Sequence, residues 1–285
     1  MNTMKRTGGL LLTGAAVWLA AAQTTAGAET LSPKGSTQGQ SRNLSVFTNG
    51  PWKGAHAVYT NAIFDAVMSA NGRLDVYPKD KGVRIGRPLW MGLRCFYRTS
   101  TERYGERNMA TFEGDTGPLM NPKMIQLRGK LDDDVDYSVT FMFEKNSISG
   151  KGFLNDPQGL KPPTAFRLGV SVLAYTNFPP DTPMAVRQDK LKGLSLVIRE
   201  GGKKNFYPYA KGTTIPWRPE EKCWIEGPVY GPRKISFEVK SDDTAFMHTY
   251  IYSGMAPYEG YFVGMYYKSQ AASKKSSDRF VLTIQ

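Results

Sequence analysis

Residues Ala245–Tyr252 alternate so that Phe246, His248, Tyr250 and Tyr252 would share one face of a strand, with Ala245, Met247, Thr249 and Ile251 on the other. A histidine titrating near neutrality beside a tyrosine can act as base and acid in abstracting a proton next to a uronic carboxylate, with an arginine offsetting the enolate charge. Tyr258, Tyr261, Tyr266 and Tyr267 follow in the next segment, so the same residues could instead form an aromatic platform for sugar rings. An aromatic-rich sandwich core with a hydrogen-bonded histidine is the competing reading.

A second constellation lies in Gly92–Arg98, where alternation puts Arg94, Phe96 and Arg98 on one face and Leu93, Cys95 and Tyr97 on the other. Arg84, Arg87, Arg103 and Arg107 surround it, and Trp90, Phe96 and Tyr104 are interleaved with them. Planar guanidinium forks beside aromatic rings suit the carboxylate or sulfate groups of a sugar chain. An ordinary solvated face balanced by Glu102, Glu106 and Glu113 is the alternative.

The third is Trp52-Lys53-Gly54-Ala55-His56, followed by Tyr59, which joins a loop aromatic to the second histidine; loops carrying Trp and His often line binding sites, and a surface histidine with no role is the competing reading. Glycosidase chemistry would need two carboxylates about 5–10 Å apart. Asp65, Asp75, Glu226, Glu238, Asp242 and Asp243 supply carboxylates without pairing them. The candidate catalytic residues are therefore His248, Tyr250 and His56; the candidate ligand contacts are Arg94, Arg98, Phe96, Trp52, Trp90 and Tyr252. Two widely separated cysteines and two histidines make no zinc cluster, and no metal or cofactor is expected. The chain has no G-x-S-x-G elbow, phosphate-binding Gly-Lys-Ser/Thr loop, H-E-x-x-H or calcium-loop pattern.

Such residues would have to be positioned by strands. Short apolar runs of period two, punctuated by Gly, Pro, Asn and Asp, recur along the chain. Asn71-Gly72 predicts a two-residue hairpin turn, with Phe64, Ala66 and Met68 on one face before it and Leu74 and Val76 after it, a helix through Ala62 to Ala70 being the competing reading. Further strands are predicted at Gly92–Arg98, Lys123–Leu131, Asp136–Phe143, Phe166–Tyr175, Leu194–Arg199, Lys234–Lys240, Ala245–Tyr252, Tyr258–Lys268 and Phe280–Gln285. No long amphipathic helix is evident, and Asp132-Asp133-Asp134 reads as a turn. The expectation is an all-β fold, an antiparallel β-sandwich of jelly-roll-like or related double-sheet form.

At the N-terminus, Lys5 and Arg6 precede the apolar run Leu10–Ala22, and Ala26-Gly27-Ala28 fits a processing site. Residues 1–28 are thus expected to be a signal peptide and 29–43 a flexible arm rich in Ser, Thr, Gly and Gln. Residues 44–285 are expected to form a single sandwich domain, with no transmembrane segment after cleavage. Localisation would be secreted or periplasmic. In that oxidising setting Cys95 and Cys223 can pair, two unpaired core cysteines being the alternative. The net charge is +12 and stays positive once Lys5 and Arg6 are removed, which favours anionic partners. The basic residues are dispersed and no nucleic-acid-binding pattern is visible, so nucleic acid is not the expected partner. The functional expectation is an exported protein that binds an extracellular polysaccharide, an acidic one in the version that the charge favours. A version that also cleaves it would be a polysaccharide lyase or glycoside hydrolase. The alternative is a non-catalytic envelope structural or assembly protein acting through protein–protein contacts.

Overall fold

The structure is a computed structural model that describes residues 40–98, 104–113, 117–155, 165–173, 182, 183, 185, 186, 189, 191–209, 213–215, 222–241, 245–252, 260–267 and 278–285. The predicted signal peptide, the arm up to residue 39, Arg103 and Tyr258 lie outside the described residues. No helix among the described residues is long and apolar enough to cross a membrane.

Where alternate residues are apolar the chain forms strands, because period two sends one set of side chains to the core and the other outward. In chain order these are β1 (Gln40–Ser41), β2 (Ala55–Thr60), β3 (Phe64–Ser69), β4 (Leu74–Asp80), β5 (Val83–Arg84), β6 (Leu89–Arg98) and β7 (Tyr104–Arg107). They continue with β8 (Phe112–Glu113), β9 (Leu119–Met120), β10 (Met124–Lys130), β11 (Asp136–Phe143), β12 (Ser147–Asn155) and β13 (Ala165–Leu173). The last are β14 (Ser195–Glu200), β15 (Lys203–Pro208), β16 (Lys222–Glu226), β17 (Ile235–Lys240), β18 (Ala245–Tyr252), β19 (Gly260–Tyr267) and β20 (Arg279–Ile284).

Sheet I has the order β10-β11-β12-β20-β17-β16-β14-β15. Sheet II has the order β18-β19-β13-β6-β4-β3-β2-β9, with β5 added to β4 and β7 to β6. Pairing is antiparallel apart from β2 with β9, so the all-β, antiparallel sandwich expected from the sequence is what forms. The C-terminal strand β20 lies between β12 and β17 and joins the two halves of sheet I. Gln40–Ser41 pairs with Phe112–Glu113.

The sheets meet through glycines on one and large side chains on the other. A Cβ on Gly150 of β12 would lie 3.1 Å from Met91 and closer still to Leu168; one on Gly152 would lie 2.9 Å from the Phe166 ring. Phe166 and Leu168 of β13 therefore fill the space that β12 leaves open, and with Val170 of the same strand they are at most 1% exposed. Tyr267 packs against Phe166 and donates its hydroxyl to the Gly152 carbonyl at 3.0 Å. Further along, Tyr59 of β2 stacks on Phe143 of β11, with ring centroids 5.0 Å apart.

The predicted hairpin at Asn71-Gly72 is present, but its turn differs. Ser69 and Arg73 close a three-residue loop, and of the loop residues only Gly72 has positive φ, at 77°. The Asn71 carboxamide explains the difference: it accepts hydrogen bonds from the Ser69 hydroxyl and the Arg73 amide, bracing the longer loop. Asp132–Asp134 is the turn expected, a single turn of 3-10 helix. Trp52-Lys53-Gly54-Ala55-His56 is only partly a loop, because Ala55 and His56 open β2. Among the strands not predicted, Gly150 and Gly152 dilute the apolar pattern of β12, β15 is a lysine-rich edge, and β16 spans five residues; β2 and the short β1, β5, β7, β8 and β9 were not predicted either.

No disulfide joins the two cysteines, and both are fully buried. The Cys223 thiol donates to Met247 Sδ at 3.7 Å, and burial pushes the Cys95 thiol far above its ordinary range. Native protein should therefore resist a thiol reagent, and denatured protein should titrate two thiols without prior reduction. Recovery of none after unfolding would instead demonstrate a Cys95–Cys223 bond.

Candidate functional site

On the outer face of sheet II, four neighbouring strands bring twelve side-chain positions into three rows. The first row, across β6, β13, β19 and β18, is Arg94, Arg167, Tyr266 and Phe246. The second is Gly92, Gly169, Gly264 and His248. The third is Trp90, Ser171, Phe262 and Tyr250. The register follows from β13, whose inward Phe166, Leu168 and Val170 oblige Arg167, Gly169 and Ser171 to face outward.

The glycine row creates room that one aromatic ring partly fills. A Cβ on Gly169 or Gly264 would run into the Phe262 ring, whereas one on Gly92 would meet nothing within 4 Å. The floor is thus covered by Phe262 over β13 and β19, and open over β6 between Trp90 and Arg94. Beside the open part, the Arg73 guanidinium lies 5.0 Å from the Trp90 ring centroid and is held by Asp75 through a 2.8 Å ion pair.

Arg167 is the centre of the covered part. Its guanidinium carbon lies 3.7 Å from the Phe262 ring centroid, and its two terminal nitrogens donate to the hydroxyls of Tyr266, at 2.6 Å, and Tyr250, at 2.9 Å. The residue is only 5% exposed. Such a charge, half surrounded by π faces and phenol oxygens, is stabilised by the ring quadrupoles and by charge-assisted hydrogen bonds. Burial raises the Tyr266 hydroxyl pKa well above its ordinary range. The His248 ring lies 5.2 Å from Tyr266 and 5.8 Å from Tyr250, centroid to centroid. Burial, reinforced by the charge of Arg167, lowers its pKa from 6.5 to about 4, so the imidazole is neutral at physiological pH. Arg94 stands directly opposite Arg167, and like charges in that relation are unfavourable unless an anion lies between or above them.

The structure thus brings His248, Tyr250, Arg94 and Trp90 onto one face. Phe96, Arg98 and Tyr252 occupy the outward parity of β6 and β18, but their side chains lie outside the described residues. Of the tyrosines expected on the platform, Tyr261 and Tyr267 instead point into the core, because they sit one residue out of phase with Tyr266. Arg107 is also buried and packs over Tyr97, away from Arg94.

His56 is not brought to this face. Six strand steps in sheet II separate β2 from β18, roughly 29 Å at ordinary strand spacing. Its Nδ1–H donates to the Ser45 carbonyl at 2.7 Å, and the ring is 3% exposed beside a cavity of about 370 Å³ bordered by Leu44, Phe112, Met124 and Leu127. Trp52 lies at the same end, 5.4 Å from the guanidinium of Arg84. Arg84 and Lys79 both bind the buried Asp65 carboxylate, at 2.7 and 3.0 Å. Burial alone would raise the Asp65 pKa, but hydrogen bonds from Thr60, Arg84 and Lys79 outweigh it and hold the carboxyl below its ordinary range.

Sequence reasoning missed Arg167, the best-anchored charge on this face. The signal was a lone charged residue at an outward position of a mostly apolar strand, Phe166–Val172, where burial had to be matched by partners on neighbouring strands. Among the described residues, no group of three or more His, Cys, Asp or Glu side chains is placed to hold a metal ion. Fold and face define an antiparallel β-sandwich whose sheet II carries cationic and aromatic side chains on its outward side, Arg167 and Phe262 being buried there. Compared with protein-family models and with curated proteins, the chain matches none.

The glycine row gives a paired test. Gly169→Ala must displace Phe262 or the backbone of β19 and should lose about 1–3 kcal/mol in urea unfolding. Gly92→Ala enters open space and should stay within about 0.5 kcal/mol of the parent; equal losses would contradict the covered and open halves of the floor.

His248 gives a pH test. In the unfolded chain the imidazole protonates near pH 6.5, in the folded chain only near pH 4, so between these values the unfolded state binds more protons. Stability is therefore intact above pH 6.5 and is lost as pH falls toward 4. Thermal melts should fall less steeply over this window in His248→Phe than in the parent, and parallel curves would remove His248 as the cause.

Proposed function

We propose that the protein binds an acidic polysaccharide across the outer face of sheet II. The observation that carries this reading is the open floor at Gly92, bordered by Trp90 on one side and Arg94 on the other. A pyranose ring presents C–H groups that pack on an indole face, and a carboxylate or sulfate ester accepts paired hydrogen bonds from a guanidinium fork. Arg167, packed against Phe262 and the two tyrosines, adds fixed positive potential beside the floor and has little freedom left to lose on binding. The export signature at residues 1–28 supports an extracellular partner, and the net charge of +12 supports an anionic one.

Cleavage is a second reading, favoured by the neutral state of His248 next to Tyr250 and Tyr266. In β-elimination a base takes the proton α to the uronate carboxyl, the bond to the departing glycosidic oxygen breaks, and that oxygen receives a proton. His248 would serve as base, Tyr250 as the proton donor, and Arg167 would offset the enolate charge.

Affinity electrophoresis through polygalacturonate, dextran sulfate and neutral dextran tests the binding reading. Retention by the acidic polymers should weaken at least twofold in Trp90→Ala and in Arg94→Ala, with unchanged melting curves. Retention by none of the polymers would end the proposal. Growth of unsaturated-uronide absorbance that disappears in His248→Gln and Tyr250→Phe would establish cleavage, whereas binding without that signal would leave a binding protein.

A further inference from the structure

A second cationic site lies on the opposite sheet. On the outer face of sheet I, Arg199 of β14 stands directly between Lys204 of β15 and Lys222 of β16. Three positive charges thus run across adjacent strands, an arrangement that costs stability unless an anion or a carboxylate intervenes. One pleat further along the strands, Trp224 lies between Val197 and Ser236. Lys204 and Lys234 approach its ring from opposite sides of β16, with ammonium nitrogens 5.5 and 5.4 Å from the centroid.

These side chains enclose a groove of about 220 Å³ whose remaining walls are Ser236, Thr283 and Gln285. Every polar side chain lining it can donate a hydrogen bond, and none is a carboxylate. None of the four cations forms an ion pair with a described carboxylate. The nearby acids are turned to other tasks: Glu226 accepts the Trp224 indole N–H at 2.7 Å, and Glu200 accepts from Asn205 at 3.2 Å. Glu238 is opposite Lys222 in register but makes no ion pair with it among the described residues.

We propose that this groove binds the acid groups of an anionic polysaccharide, as a site separate from the Trp90–Arg94 face. Its volume is below the roughly 300–1,000 Å³ of ordinary small-molecule pockets, which suits one oxyanion at a time. Strand spacing of about 4.8 Å sets the cations at intervals close to one sugar residue, so an extended chain with an acid group on each residue can meet them in succession. Phe206, in the same row as Trp224 and 56% exposed, offers an apolar shelf for a sugar ring beyond the groove. Trp224 itself is 5% exposed and lies beneath the lysines, so it is no stacking platform for a nucleobase, which disfavours single-stranded nucleic acid.

Lysine footprinting resolves this site from the one on sheet II. The full chain is acetylated with an amine-reactive reagent, alone and with dextran sulfate, polygalacturonate, neutral dextran, inorganic sulfate or single-stranded DNA, and labelled positions are read by mass spectrometry. Dextran sulfate or polygalacturonate should protect Lys204, Lys222 and Lys234 at least threefold while leaving the exposed Lys53 and Lys151 unchanged, and whichever polymer protects more identifies sulfate or carboxylate as the group bound. Arg199→Gln combined with Lys222→Gln should abolish protection of Lys204 and Lys234; Trp90→Ala should not. Protection spread evenly over all exposed lysines, protection equally strong with inorganic sulfate at matched charge, or stronger protection by DNA would each overturn the proposal. Loss of sheet II binding with protection here intact would sink only the reading of the Trp90–Arg94 face.

Discussion

The fit of β13 into the gap over Gly150 and Gly152 governs what the rest of sheet II can present. With Phe166, Leu168 and Val170 committed to sheet I, strand alternation leaves Arg167, Gly169 and Ser171 no place but the outer face. The antiparallel register then sets their neighbours. A shift of one residue between β13 and β19 would send Tyr266 into the core and Met265 outward, dispersing the cluster around Arg167.

That cluster shows how a charge can lie close to a hydrophobic sandwich at acceptable cost. Arg167 at 5% exposure would be expensive alone, but its plane lies on Phe262 and its terminal nitrogens reach two phenol oxygens. The rigid cation then acts on its surroundings by opposing a second positive charge, which adds to burial in keeping His248 neutral. Packing, hydrogen bonding and imidazole protonation are therefore linked through one side chain. Bringing glycine to three adjacent strands gives Phe262 room to lie flat over two of them, and the third remains open.

The two sheets carry positive charge in different forms. On sheet II the guanidinium of Arg167 is enclosed and oriented; on sheet I Lys204, Lys222, Lys234 and Arg199 are exposed and gathered around a buried indole. A buried fork favours one geometry of partner, whereas flexible ammonium groups at a groove mouth adapt to a chain that slides or varies. Both faces draw on the same surplus of basic residues, and both lie on regular strands that hold their spacing.

Much of the sandwich is legible in the sequence alone. Period-two runs located β4, β6, β10, β11, β13 and β17 to β20 closely, and the alternation of Phe246, His248 and Tyr250 identified their shared face. These features depend on local pattern, which a strand displays wherever it is placed. Gly150 and Gly152 hid β12 because their value lies in what another sheet inserts above them. Arg167 met Tyr250 only through a bond across 83 residues of sequence. His56 was separated from them by strand order, with six strand steps between β2 and β18 in sheet II. Composition and alternation thus specified strands, faces and net charge; which faces adjoin, which charges meet and where the floor stays open required the long-range register that only tertiary packing imposes.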